Sequence, residues 1–395
     1  MIPSMPAHSP AILRQPLAPT LLLIALAHSV NDLLQAVLPS LYPLLQQQYR
    51  LSYGQLGAIT LVFHLIACLC QPAVGWFTDR RPCPRLLPWA MLGMLAGMLW
   101  LGQAKGFGDL LGVAALVGLG SSIFHPEASR AARAALPARA GLAQSVFQLG
   151  GNVGSAAAPL LLALLLSVPM AWMSLCLAAL AVTGFGLLCS AVRAAAKGTL
   201  QTARRAASPL AALPRRRKAG ALLLLTLLIL SKYVYLACVA NFYTFFLIER
   251  FAVSIAQAQL YLFVFLLAIT LGTLVGGPLM DRLGRQRVIM LSILGACPFA
   301  LLLTQAPLWL AVALSVLVGV FIASAFAAIL LMAQDLLPGR EGLVAGAFFG
   351  LTFGISGMAA AGLGVSADHW GVVATFSVAS ALPLLGVLAC GLPKD

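Results

Sequence analysis

Charge is scarce in this sequence. Only 24 Lys and Arg and 10 Asp and Glu stand among 395 residues, 9% in all, where a soluble domain carries roughly a quarter. Hydrophobic residues make up 61%, and the mean hydropathy is +0.99. So little polar surface excludes a soluble enzyme or a soluble nucleic-acid binder. Cysteine pairs are missing too. Cys68, Cys70, Cys83, Cys176, Cys189, Cys238, Cys297 and Cys390 are scattered, none with CxxC spacing, and most lie in apolar stretches. They read as small buried apolar residues, with neither a disulfide framework nor a metal site. No Walker, GxSxG or HExxH pattern occurs, which argues against ATP-driven transport and against a catalytic centre of those kinds.

What is present is long apolar runs. Residues 17–49 contain one charge, Asp32, and residues 51–78, 86–104 and 110–126 contain none. The free run 140–192 breaks at Ser167-Val168-Pro169. Residues 219–248 hold one charge, Lys232, and 251–280 none; 288–334 breaks at Gln305-Ala306-Pro307, and 342–367 and 369–393 follow. A spanning helix takes about 20 apolar residues, so these runs predict twelve spans, six on each side of a basic stretch. They lack the strict alternation of barrel strands, which favours helices. The run from Leu17 shows no clear signal-peptide cleavage site and continues through Asp32, so it reads as the first span.

Lysine and arginine set the sidedness. With the N-terminus inside, the inside segments carry 20 of the 24: Arg14; Arg80, Arg81, Arg85; Arg130, Arg133, Arg139; eight from Arg193 to Lys218; Arg282, Arg285, Arg287; Arg340; and Lys394. The outside loops carry Arg50, Lys105 and Arg250, and Lys232 lies within a span. This placement accounts for the net charge of +14 with no nucleic-acid partner. The expected layout is a cytoplasmic tail at 1–16, a six-helix half at 17–192, a basic cytoplasmic linker at 193–218, a second half at 219–392 and a cytoplasmic end at 393–395. The linker is either a solvated loop that sets topology or a strip along the anionic inner leaflet.

The halves repeat. Leu136-Pro137-Ala138-Arg139-Ala140-Gly141-Leu142 returns as Leu337-Pro338-Gly339-Arg340-Glu341-Gly342-Leu343 at an offset of 201. Gly75-x3-Asp79-Arg80 returns as Gly277-x3-Asp281-Arg282 at 202. Two parallel six-helix repeats are a transporter architecture with the substrate held between the halves.

The segment from Gly277 to Arg287 resembles the signature that follows the second helix of each half in the major facilitator superfamily. The first copy, Gly75 to Arg81, is degenerate, with Pro82 for the usual Gly. The physics gives these residues a gating role. Gly lets helices approach, Asp79 and Asp281 can cap or pair across an interface, and Arg80, Arg282, Arg139 and Arg340 face the cytoplasm. A closer resemblance is to the fosmidomycin resistance proteins of bacteria. It is carried by His28-Ser29-Val30-Asn31-Asp32, Gly120 to Arg130, Gly141 to Asn152, Ser231-Lys232-Tyr233 and Leu336 to Arg340. That resemblance implies an inner-membrane antibiotic efflux carrier that exchanges drug for protons.

Chemistry is expected where the copies differ. Span 4 reads Phe124-His125-Pro126-Glu127, and its equivalent in span 10 reads Ala325-Phe326-Ala327-Ala328. Pro126 should kink span 4. His125 and Glu127 form either a proton or substrate relay or a structural kink with Glu127 paired to an arginine. Gln144, Gln148 and Asn152 share one face of span 5 and should turn to the cavity or to another helix. Gly342, Gly346, Gly350 and Gly354 form a small-residue face on span 11, expected against span 8 at Gly272, Gly276 and Gly277. His64 is either core or functional; Asp368 and His369 read as solvated loop residues. Lys232 and Tyr235 on span 7 suit an anionic or amphipathic substrate.

Asp32 and Lys232 are the acidic and the basic residue at mid-depth, where an unpaired charge costs about 2.5–3.5 kcal/mol. In the superfamily, spans 1 and 7 resemble a facing pair. The reading is that Asp32 carries the coupling proton, His28 at i−4 shares it, and Lys232 attracts the substrate's anionic part; a static Asp32–Lys232 bridge is the alternative. The expected function is a secondary active transporter, proton-coupled efflux of an antibiotic or toxic small molecule by alternating access. An uptake symporter is the main alternative, and a membrane-embedded enzyme or receptor a distant one. The expected partners are a small molecule, protons and the lipid bilayer, in a monomer with no cofactor and no metal.

Overall fold

Backbone polar groups in lipid must be satisfied within the chain, and an apolar helix does this residue by residue. The computed structural model, which describes residues 19–80, 83, 85–136, 140–195, 209–338 and 341–394, contains no strand among them. The first set of helices is α1 (Pro19–Tyr49), α2 (Tyr53–Arg80), α3 (Leu86–Leu101), α4 (Phe107–Ala135), α5 (Ala140–Leu165) and α6 (Met170–Ala195). The second is α7 (Arg215–Phe251), α8 (Ile255–Leu283), α9 (Arg285–Leu303), α10 (Leu308–Ala323), α11 (Ala325–Leu336), α12 (Glu341–Trp370) and α13 (Val372–Ala379), followed by a 3-10 helix over Leu382–Gly391. Eleven segments are long and apolar enough to cross a membrane, and α3 is a shorter apolar helix of 16 residues. Counting α10 with α11, and α13 with the 3-10 helix, gives the expected twelve. Of the expected linker, 196–208 lie outside the described residues. Arg215 to Lys218 form the start of α7, with Pro214 fixing the helix entry.

Exposed tryptophans mark both ends of the bundle. Trp89 lies near the basic ends of the helices, and Trp172, Trp309 and Trp370 lie near the opposite ends. This is the placement expected of interfacial anchors. The eight cysteines are all free; Cys238 and Cys297 are buried, whereas Cys176 and Cys390 are exposed rather than buried.

Within the first set, α1 packs on α4, α5 and α6, and α2 on α4; the sets meet through α2 with α12, α5 with α8, and α1 with α7. This corrects the expected partner of the glycine face on span 11. That helix is α12, and Gly350 and Gly354 face Cys68 of α2, while Gly272 and Gly276 of α8 pack on Val320 and Ser324. The side chains at 342 and 346 lie outside the described residues.

The α2–α12 contact loosens toward the basic end. A Cβ on Gly57 would meet the Ala360 carbonyl at 2.3 Å, and one on Gly357 would meet His64 at 2.8 Å. One on Gly354 or Gly350 would stand 3.7 or 3.9 Å from Cys68 Sγ. Among the described residues, hydrogen bonds between the halves occur at both levels. At the sparsely charged end, Tyr53 N and Gly54 N both donate to Asp368 at 2.7 Å, and the Tyr53 hydroxyl donates to Glu249. Gln259 donates to the Ser40 carbonyl at 2.7 Å, and Thr60 to Asn241 at 2.6 Å. Asp368 is exposed but lies in α12 rather than in a loop, and its carboxylate caps the first N–H groups of α2, where a negative charge is favoured. Toward the basic end the links are Asn152 to Thr273 and Cys68 to the Gly350 carbonyl, both 3.2 Å.

Pro126 lies inside α4, which runs as one helix to Ala135. A break between helices lies in span 10, at Ser324. There the Ser292 hydroxyl of α9 donates to the Phe321 carbonyl at 2.6 Å and accepts from Ala325 N at 3.0 Å. Those two backbone groups are the i and i+4 partners of an ordinary helix. A side chain inserted between them opens the ladder.

Candidate functional site

The face of α1 that carries the chemistry is spaced at one and two turns: His28, Asp32 and Gln35. His28 is almost fully buried, stacked on Phe147 with ring centroids 3.9 Å apart. Its Nδ1 lies 2.7 Å from the Phe147 carbonyl, and its Nε2 lies 3.3 Å from Asp32 Oδ2. His125 reaches across from α4. Its Nδ1 lies 3.1 Å from the Ser121 carbonyl and its Nε2 3.4 Å from Asp32 Oδ1. Asp32 Oδ1 also accepts from Asn31 at 2.9 Å and from Gln35 at 3.2 Å. The Ser121 hydroxyl donates to Gln35 Oε1 at 3.3 Å, which closes the network.

The partners assign the tautomers. A carbonyl only accepts, so each imidazole carries its hydrogen on Nδ1 and turns Nε2 to the carboxylate. A neutral ring then sets a bare nitrogen against the carboxylate oxygens. A positive charge between them replaces that repulsion with strong charge-assisted contacts. His28 Nε2 is buried with no hydrogen-bond partner. The Asp32 and His125 side chains are each about one-fifth exposed, at 19% and 21%. The triad is thus sealed on the His28 side and reachable on the other. From the second half, Phe353 of α12 lays its ring against His125 and His64, with centroids 5.8 and 5.4 Å away.

The structure separates other residues that the sequence grouped. Glu127 leaves its neighbour His125 and points to Arg130, 3.4 Å away, which itself holds the Thr78 carbonyl and hydroxyl at 2.9 Å. Lys232 does not meet Asp32. It is buried and donates to the Ala323 carbonyl at 3.3 Å, with the Tyr233 ring 5.5 Å away. That carbonyl stands at the break in span 10, one residue before Ser324, and it holds Lys232 away from the static Asp32 bridge that was the alternative reading. Tyr235 is buried in the apolar core of the second half, in the same cluster as Cys238 and Ala296. Gln144 accepts from Ser129 at 3.0 Å, Asn152 reaches Thr273, and Gln148 is half-buried between them on α5. Arg282 is exposed at the end of α8. The side chains of Gly75, Asp79, Arg80, Gly277 and Asp281, and Arg139 and Arg340 altogether, lie outside the described residues. Sequence reasoning missed Gln35, Ser121 and Phe353. Gln35 stands at i+3 from Asp32 and was legible; Phe353 has no mark beyond being an aromatic on a glycine-rich helix.

A profile of the Major Facilitator Superfamily matches residues 24–252 and again 233–395. The chain belongs to the major facilitator superfamily of transporters. It is 45% identical over 378 residues to the fosmidomycin resistance protein of Escherichia coli (strain K12), covering 94% of this chain and 92% of that one. It is 39% identical over 384 residues to the uncharacterized MFS-type transporter YfnC of Bacillus subtilis (strain 168), covering 95% and 93%. Among solved structures, a bacterial homolog of the human lysosomal transporter Spinster, inward-facing and unoccupied, superposes with a TM-score of 0.72 at 14% identity over 94% of each chain. A D-xylose–proton symporter gives 0.72 at 14% over 95% and 98%. At that identity these two share the fold.

Proposed function

We propose that this superfamily member exports an antibiotic-like or toxic small molecule from the bacterial cytoplasm in exchange for protons, by alternating access. Both termini and the basic helix ends face the cytoplasm, and the working unit is the monomer. The observation that carries the reading is the carboxylate of Asp32 between two imidazoles whose Nδ1 hydrogens are committed elsewhere. One proton placed there converts a repulsive contact into a charge-assisted hydrogen bond, so the triad can take up and release a proton. Phe353 couples that event to the second half, because moving α12 against α2 changes what covers His125. Asn152, which reaches Thr273 of α8, and Gln148 and Gln144 one and two turns before it on α5 supply neutral hydrogen bonds to a substrate between the halves. The polar seal at the sparsely charged end, and the wider spacing of Gly350 and Gly354 from Cys68, support a state that opens toward the cytoplasm. Resistance to fosmidomycin in the 45% identical relative favours export over uptake.

The test is Asp32→Asn protein reconstituted in liposomes. Transport driven by a pH gradient is expected to vanish, while substrate binding, read by quenching of intrinsic tryptophan fluorescence, survives. Undiminished gradient-driven transport by that variant would overturn the reading. A panel of drugs on cells lacking or overproducing the protein fixes direction. Protection from fosmidomycin supports export; growth rescue on a nutrient supports uptake.

A further inference from the structure

The same three side chains satisfy the requirements of a different cation. We propose that His28 Nε2, His125 Nε2 and the Asp32 carboxylate form a binding site for one divalent transition-metal ion of the zinc class. Binding itself rests on the geometry alone. Its consequence, that the metal excludes the coupling proton and arrests transport, rests on the transport reading above.

Four observations converge on the site. The ligand atoms all lie within 4.8 Å of one another. Each imidazole faces its own carboxylate oxygen, His28 Nε2 at 3.3 Å from Oδ2 and His125 Nε2 at 3.4 Å from Oδ1, so a small contraction brings all three side chains to the about 2.0–2.1 Å of zinc–ligand bonds. Each histidine donates its other nitrogen to a backbone carbonyl, Phe147 or Ser121. That outer contact is the one that orients metal-binding imidazoles and fixes their tautomer. Asn31 and Gln35 orient the carboxylate in the same way. His28 Nε2 is buried, without a hydrogen-bond partner, and aimed into the cluster.

The fourth observation is the space beside the cluster. Gly151 of α5 faces it, and a Cβ there would stand 2.6 Å from Asp32 Oδ2 and 2.7 Å from His28 Nε2. A methyl group at that position would occupy the volume an ion needs. Partial exposure of Asp32 and His125 leaves an entry path and room for a water as fourth ligand. Two imidazoles with one carboxylate suit zinc-class ions; Mg2+ and Ca2+ prefer oxygen alone. The ionisable groups that face the site are His28 and Asp32 from α1 and His125 from α4. Glu127 is committed to Arg130. From α5 the facing residues are Phe147 and Gly151, and from α12 Phe353, none ionisable; His64 of α2 lies behind Phe353. The metal uses the bare Nε2 lone pairs, so a proton placed on either of them competes with it.

The experiment is a titration of the purified full-length protein in detergent at neutral pH with micromolar Zn2+, read by calorimetry, and with Co2+, read by the visible absorption of tetrahedral cobalt. One equivalent per chain is expected. His125→Ala should weaken binding by at least the about 10–100-fold that outer-shell changes cost. Gly151→Ala should do the same with every ligand in place, and His64→Ala should leave binding unchanged. Thermal melts confirm folding of each variant, and His125→Asn serves where His125→Ala does not fold. No uptake by the wild type, or uptake that survives both His125→Ala and Gly151→Ala, overturns the site. Either result leaves Asp32→Asn as the separate test of proton coupling.

Discussion

Helices α1 and α7 occupy equivalent places in the repeat, and each buries one charge at nearly the same position: Asp32 and Lys232 are 200 residues apart. The two charges do different work. Asp32 gathers two imidazoles, two amides and a partly open space. Lys232 is sealed and holds one backbone carbonyl at a helix break. At an offset of 201, Asp32 corresponds to Tyr233 and His125 to Phe326. Those two rings touch edge-on, with centroids 5.8 Å apart. The second half thus keeps the helix-to-helix contact of the first but fills it with aromatic carbon. One copy of the repeat carries ionisable groups that can respond to a proton or a metal. The other spends its single cation on the backbone.

Exchanging a residue between the halves breaks this comparison most directly. His125→Phe gives the first half the side chain that the second half uses. It is expected to preserve the fold, since the rings of His28, Phe124 and Phe353 already surround the position. Gradient-driven transport should fall by about 5–150-fold, the range of ordinary coupling free energies. Transport at wild-type rate in liposomes would show that the triad and the aromatic pair are interchangeable.

An intermediate effect is expected at the break in span 10. Ser292→Ala removes the hydroxyl that serves the Phe321 carbonyl and Ala325 N. Leaving buried backbone groups unserved costs about 1–3 kcal/mol. The expected result is a lower melting temperature in detergent with proton dependence of transport unchanged. An unchanged melting temperature would mean that Phe321 and Ala325 re-form the helical bond, and that the break owes nothing to Ser292.

These differences explain what could be read in advance. The twelve crossings were legible because charge cannot lie in lipid, so the gaps between charges measure the spans directly. The His28–Asp32 contact was legible too, since i and i+4 on a helix are neighbours whatever surrounds them. His125 was visible as an oddity of span 4, but its contact with Asp32 depends on the relative depth of α1 and α4, which no local pattern encodes. The static Asp32–Lys232 bridge of the alternative reading is not formed, for a related reason. A carbonyl released at a helix break is a strong acceptor, yet Ser324 carries no proline or glycine to announce it. The packing of α12 on α2 was likewise hidden, because a glycine stripe specifies closeness and not a partner.

The smallest effect is expected at Lys232 itself. The residue is 3% exposed, and its ammonium holds a single carbonyl and stands over one aromatic ring. Replacing a buried charge by an apolar side chain of similar volume is often neutral or stabilising, because the desolvation penalty disappears with the charge. Lys232→Met keeps the length of the side chain and loses one hydrogen bond, about 0.5–1.5 kcal/mol net. The two contributions oppose each other. The melting temperature should therefore move little, and the pH dependence of transport should follow the wild type, since Asp32 has its own partners. Lys232→Glu sets the control: a buried carboxylate facing the Ala323 carbonyl repels it and should destabilise the protein strongly. If Lys232→Met instead abolishes gradient-driven transport in a well-folded protein, then the cation acts on the proton site from a distance. The division of labour between the halves would have to be redrawn.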